Sequence, residues 1–225
     1  MVSCILFDCD GTLVDSEILC CEAYVVVAAN YGISLSLDRV TKDFKGVKLY
    51  DIFASLREHH GLQQDVALLE AEYRREVARL FDERLVAIEG VQQLMEQITV
   101  PVAVVSNGPV SKMEHSLGLT RLRSFFGDKL YSGYDIRRWK PDPALIHHAA
   151  EQLALPVEQC ILVEDSVSGT QAGIAAGIPV FYYCADPHNL RIDHPLVTHF
   201  DHMAQLPDLW RQKGWQLTCQ AAATA

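Results

Sequence analysis

Two carboxylates one residue apart, Asp8 and Asp10, close an apolar run and are followed at once by Gly11 and Thr12. Carboxylates this close repel, and both stay ionised only if a cation neutralises them or one takes up a proton. Two chemistries follow: a divalent metal site, or a nucleophile beside a general acid. The same string also suits a plain turn, because Asp and Gly favour turns. A calcium loop is excluded. It needs a third oxygen ligand before its glycine and a Glu at its twelfth position, whereas here, counting from Asp8, the glycine comes early and the twelfth residue is Leu19.

Further polar residues could join the pair: Ser106 with Asn107, Lys140 in Trp139-Lys140-Pro141-Asp142-Pro143, and Glu164-Asp165. Each has a plain alternative as a helix cap or a solvated loop. Together they supply what phosphoryl transfer to a carboxylate requires. A carboxylate can attack phosphorus and form an aspartyl-phosphate, which is the role given to Asp8. Mg²⁺ takes oxygen ligands and screens two anions from each other; Glu164 and Asp165 complete its site. A lysine acts as a fixed point charge, here Lys140. Ser106 holds a phosphoryl oxygen. A second acid protonates the leaving group and then deprotonates water, here Asp10.

These residues need a scaffold that brings them to one edge. Ile5-Leu6-Phe7 reads as a buried strand, short and ending at a turn signal. That puts Asp8 and Asp10 at its carboxyl end, where open α/β sheets bind ligands. Further strands are expected over 100–105, 129–132, 159–163, 178–183 and 197–200, with Ser106, Lys140 and Glu164 at strand ends. Helices are expected over 91–98, from Pro109, over 142–153, and after Ser166. This alternation implies an α/β fold with a Rossmann-like parallel sheet and right-handed crossovers. Residues 15–85 contain no convincing strand. Ile18, Cys21, Val25 and Ala28 mark one helix, and Val66, Leu69, Tyr73, Val77, Leu80 and Phe81 another, whose charged face reads as solvated. The chain is therefore expected to comprise a core of 1–14 and 86–225 and a helical insert of 15–85.

The 225 residues are 49% hydrophobic and carry a formal net charge of -10. An acidic chain without a basic run is a poor partner for nucleic acid or an anionic membrane. Seven cysteines without paired spacing read as reduced thiols of a cytoplasmic protein. No signal peptide or membrane span is expected. The paired histidines His59-His60 and His147-His148 read as surface positions. His188, His194, His199 and His202 match no metal spacing. Arg137-Arg138 read as a solvated turn and Trp139 as packing.

The motifs Asp8-Cys9-Asp10-Gly11-Thr12, Ser106-Asn107, Lys140-Pro141 and Glu164-Asp165 resemble those of the haloacid dehalogenase superfamily, in its helical-cap subgroup. The resemblance implies a core with a helical cap inserted after the first motif. It implies Mg²⁺ held by Asp8, the Asp10 backbone carbonyl and the acidic pair, with Asp165 the firmer ligand. Dehalogenating members lack an Asp at the position of Asp10, so the chain resembles the phosphatases and mutases. The segments 44–50, 132–136 and 184–189 are similar to those of phosphatases acting on a small phosphorylated sugar acid such as 6-phosphogluconate. In that subgroup the loop bearing Lys45 and Lys48 selects substrate, and both lysines, with Asn107, are expected to bind it; two solvated surface lysines are the plain alternative. The expected partner is a small phosphorylated metabolite, and the chain is taken as a monomer. A sugar-phosphate mutase is the rival enzyme. A phospho-accepting signalling module is a further rival, disfavoured by Asp10, which would speed the hydrolysis a switch must avoid.

Overall fold

A computed structural model describes residues 2–44, 49–185 and 190–219. The chain divides into two compact units, one of Met1–Val14 with Ala87–Ala225 and one of Asp15–Val86.

The first unit begins with β1 (Cys4–Phe7), every residue of which is buried. The second unit carries α1 (Glu17–Ala29), α2 (Leu37–Phe44), α3 (Leu49–His60) and α4 (Val66–Arg84). The first unit resumes with α5 (Val91–Gln97), β2 (Val102–Ser106), α6 (Val110–Leu119), α7 (Arg123–Phe126), β3 (Leu130–Ser132), α8 (Gly133–Ile136), α9 (Ala144–Gln152), β4 (Cys160–Glu164), α10 (Val167–Ala175), β5 (Val180–Tyr183), β6 (Val197–Phe200) and α11 (Leu206–Gln212).

The six strands form one sheet in the order β3-β2-β1-β4-β5-β6, and every pairing is parallel. Parallel strands covered on both faces read as continuous apolar runs rather than alternating ones, as in Cys4-Ile5-Leu6-Phe7 and Cys160-Ile161-Leu162-Val163. Cys4, Leu6, Ala103, Val105, Cys160 and Leu162 pack with Leu145, Ile146, Ala149 and Ala172 of α9 and α10. The alternate residue Phe7 points the other way and meets Phe126 edge-on at 6.2 Å. With helices on both faces the strand ends stay open, and β1, at the centre, delivers Asp8 between β2 and β4.

In the second unit, α4 starts at Asp65, whose side chain accepts from the Ala67 N–H at 2.7 Å. Tyr24 stacks on Tyr73 at 4.2 Å, and Phe53 packs edge-on to both rings. Leu69, Val77 and Phe81, on the apolar face read from the sequence, are buried in that same cluster. Among the described residues no helix is long and apolar enough to cross a membrane.

One expectation about the scaffold is corrected. Lys140 does not stand at a strand end. The Ser132 hydroxyl accepts from the Tyr134 N–H and starts α8 directly after β3, so Lys140 lies in the loop beyond that helix.

Candidate active site

The carboxyl ends of β1, β2 and β4 and the loop after α8 converge. Asp8 is 6% exposed, Lys140 3% and Glu164 fully buried. The Lys140 ammonium uses each of its three donors. One goes to Asp8 Oδ1, one to Glu164 Oε2 at 2.6 Å and one to the Val105 carbonyl at 3.2 Å. Glu164 is held at its other oxygen, where Oε1 accepts from the Asp165 and Ser166 N–H groups at 3.1 and 2.9 Å. A Cβ on Gly169 of α10 would lie 2.6 Å from Glu164 Cγ and overlap its carboxylate. Only glycine lets the helix pass so close.

Asp165 is fixed from β1's side. Thr12 donates its hydroxyl hydrogen to Asp165 Oδ1 at 2.8 Å. Gly11 has a φ of +78° and its Cα faces the same carboxylate, where a Cβ would come 2.8 Å from Asp165 Cγ. Positive φ and close approach both demand glycine.

The loop with Lys140 is clamped by Asn107. Its Nδ2 donates to the Lys140 carbonyl at 3.1 Å, and its Oδ1 accepts from the Lys140 N–H at 2.8 Å. Asn107, expected to bind substrate, thus has its amide engaged at both ends with backbone. Trp139 packs edge-on to Tyr134 at 5.5 Å and leaves no room for a Cβ on Gly133, which fixes the loop from its other side. Ser106 is buried, and its Oγ accepts from the Gly108 N–H at 3.0 Å. Asp10 is partly exposed, with Oδ2 accepting from Lys112 Nζ at 2.8 Å.

Electrostatics follow from burial. Burial, then the Glu164 charge, pushes the Asp8 carboxyl up to about 7 against the opposing pull of Lys140. Burial alone would push Lys140 down, but the charges of Asp8 and Glu164 outweigh it and hold the ammonium above its ordinary value. Burial, then the Asp10 and Asp8 charges, drives the Cys9 thiol far up, so it is a poor nucleophile.

Asp8, Glu164 and Asp165 offer oxygens within 4.8 Å of one another. Three buried carboxylates against one ammonium leave an excess of two negative charges, which one divalent cation would cancel. All-oxygen donors fit Mg²⁺. Among the described residues no other such group of His, Cys, Asp or Glu occurs.

The structure thus brings together Asp8, Asp10, Ser106, Asn107, Lys140, Glu164 and Asp165. Lys45 and Lys48 lie outside the described residues. Sequence reasoning assigned no role to Thr12 or Lys112. Thr12 was visible inside the aspartate motif. Lys112 sits in the first turn of the helix after β2, on the same edge of the sheet, and that placement was its only signal.

The family model of haloacid dehalogenase-like hydrolases matches residues 5–183. The chain belongs to this family. Among curated relatives, the 6-phosphogluconate phosphatase of Escherichia coli K12 is 55% identical, over 96% of this chain and 98% of that protein. A phosphorylated carbohydrates phosphatase of Thermotoga maritima is 29% identical, over 79% of this chain and 83% of its own. Among solved structures, a HAD family hydrolase from Deinococcus radiodurans R1 with bound phosphate and sodium aligns with a TM-score of 0.75 at 26% identity, covering 98% of this chain and 99% of that one.

Proposed function

We propose that the chain is a Mg²⁺-dependent phosphatase that hydrolyses a phosphorylated sugar acid, 6-phosphogluconate or a close analogue, through an aspartyl-phosphate on Asp8. The observation that carries the chemistry is the buried Asp8–Lys140–Glu164 array beside Asp165. Likeness to the 6-phosphogluconate phosphatase over nearly the whole chain supports the substrate.

With its Oδ1 on Lys140, Asp8 directs Oδ2 at phosphorus. As that P–O bond forms, the bond to the sugar oxygen breaks and Asp10 gives this oxygen its proton. Asp10, now ionised, takes a proton from water as the water attacks phosphorus, and the bond to Asp8 breaks to release phosphate. Ser106 donates its hydroxyl to a phosphoryl oxygen, and Lys140 balances the charge that builds there. Asp8 and Asp165 would hold Mg²⁺, which supplies screening between the two anions. Glu164 serves chiefly by keeping Lys140 charged and in place, and Asn107 by holding the lysine's loop rather than by touching substrate. The Asp15–Val86 unit serves as the cap, with Lys45 and Lys48 as contacts for the substrate's carboxylate. Every proposed group comes from one chain, in keeping with a monomer, and seven free thiols suit the cytoplasm.

The test is phosphate release with Mg²⁺ from 6-phosphogluconate, hexose 6-phosphates, hexitol phosphates and hexose 1-phosphates, run beside Asp8→Asn. The expected result is fastest release from the sugar acid and a loss of at least about a thousandfold in Asp8→Asn. Isomerisation of a hexose 1-phosphate without phosphate release, or an Asp8→Asn variant that keeps its activity, would overturn the proposal.

A further inference from the structure

Asp10 is gripped by a lysine from a different element. Lys112, in the first turn of α6, donates from Nζ to Asp10 Oδ2 at 2.8 Å. Its base is set firmly. The Ser106 hydroxyl accepts from the Gly108 N–H at 3.0 Å, and the Ser132 hydroxyl donates to the Gly108 carbonyl at 2.7 Å. The Lys112 N–H closes on the Pro109 carbonyl at 3.0 Å. A Cβ placed on Gly108 would fall 3.6 Å from Lys112 Cδ and 3.7 Å from Asp10 Oδ2, so the lysine stem and the carboxylate both lie along this fixed turn. The pair is partly exposed, 21% for the lysine and 28% for the aspartate side chain. An ion pair exposed to this degree adds little stability. What it can supply is orientation.

We propose that Lys112 is a positioning residue for Asp10, holding one carboxyl oxygen so that the group presents the other to the leaving oxygen and then to water. A carboxylic acid keeps an acceptor oxygen beside its O–H. One ammonium hydrogen bond to Oδ2 therefore survives while the proton travels through Oδ1. Lys112 reaches Asp10 from α6, outside the aspartate's own segment, so this contact constrains where the proton is delivered. Proton delivery is sensitive to placement. The inference rests on the phosphatase reading, in which Asp10 is the acid and base.

The test uses a leaving group that needs no proton. For each enzyme, kcat/KM is measured for 6-phosphogluconate, which loses an alkoxide, and for 4-nitrophenyl phosphate, which loses a stabilised phenolate. Lys112→Met is expected to lower the ratio of the first to the second by about tenfold, a fraction of the full worth of a general acid. Lys112→Arg, which keeps a cationic donor, recovers most of the ratio. A loss of folded protein would lower both substrates together and leave the ratio alone. An unchanged ratio in Lys112→Met, or Lys112→Arg no better than Met, overturns the inference. Asp10→Asn separates the two levels. If it collapses the ratio and Lys112→Met does not, Lys112 is no positioning residue and the phosphatase reading stands. If the wild type releases phosphate from neither compound, the reading itself has failed and the inference with it.

Discussion

Gly169→Ala pits local propensity against tertiary packing. Gly169 lies in the first turn of α10, and in a helix alanine is favoured over glycine by up to about 1 kcal/mol. The structure predicts the opposite sign. The new Cβ would overlap the Glu164 carboxylate, and Glu164, fully buried at the end of β4, cannot swing into solvent. Displacing it breaks the bond to Lys140 and loosens the two backbone donors at Asp165 and Ser166. Overpacking costs about 1–3 kcal/mol, and a buried hydrogen bond to a charged group about 1.5–3 kcal/mol. After the helix gain is subtracted, the net destabilisation is about 3 kcal/mol, and for a chain of this size that lowers Tm by roughly 6–12 °C. Urea and thermal unfolding followed by circular dichroism measure it. The decisive arm is the same substitution in a Glu164→Ala background, which completes a double-mutant cycle. With the carboxylate gone, Gly169→Ala should be neutral or stabilising by up to about 1 kcal/mol. An equal cost in both backgrounds, or a Gly169→Ala protein as stable as wild type, would refute the reasoning.

Two further predictions concern the cation and the loop. Asp8 has a folded value of about 7 against an ordinary value of 3.8, so between these the folded state binds more protons than the unfolded state, and stability without metal falls as pH rises through that window. Mg²⁺ binds the ionised form, so it should raise Tm more at pH 8 than at pH 5.5; equal shifts in melts with Mg²⁺ or EDTA would count against Asp8 as a ligand. Asn107→Ala strips the Lys140 N–H and carbonyl of their partners and should cost about 1–3 kcal/mol, with kcat falling more than KM rises. Asn107→Asp keeps the acceptor but faces the carbonyl with an oxygen, so urea melts should place it between wild type and alanine.

The parts of this protein that were legible in its sequence are those where residue type alone forces an outcome. Continuous apolar runs such as Ile161-Leu162-Val163 fit a sheet covered on both faces, and the strands appeared within two residues of where the pattern put them. Repulsion between Asp8 and Asp10 called for a cation or a proton, and the needs of phosphoryl transfer singled out Lys140, Glu164 and Asp165; the structure gathers Asp8, Glu164 and Asp165 within 4.8 Å of one another. Residues 37–60 were harder. In α2 only Leu37, Val40 and Phe44 are apolar; they recur at helical spacing, but over a run of eight residues that is easily passed over in an otherwise polar stretch. Positioning was harder still. Lys140 had a legible task and an illegible address, because its place depends on Trp139 closing over Gly133 and on Asn107 gripping its backbone. Asn107 was read as a ligand for substrate, and its hold on the Lys140 backbone went unseen because an amide beside a site serves equally well for either partner. Lys112 looked like any surface lysine. Chemistry restricts which residue types can act on phosphorus, whereas holding those residues in place can be done by nearly any polar group within reach. Candidate reacting groups of such a site can therefore be proposed in one dimension, and the groups that hold them emerge only in three.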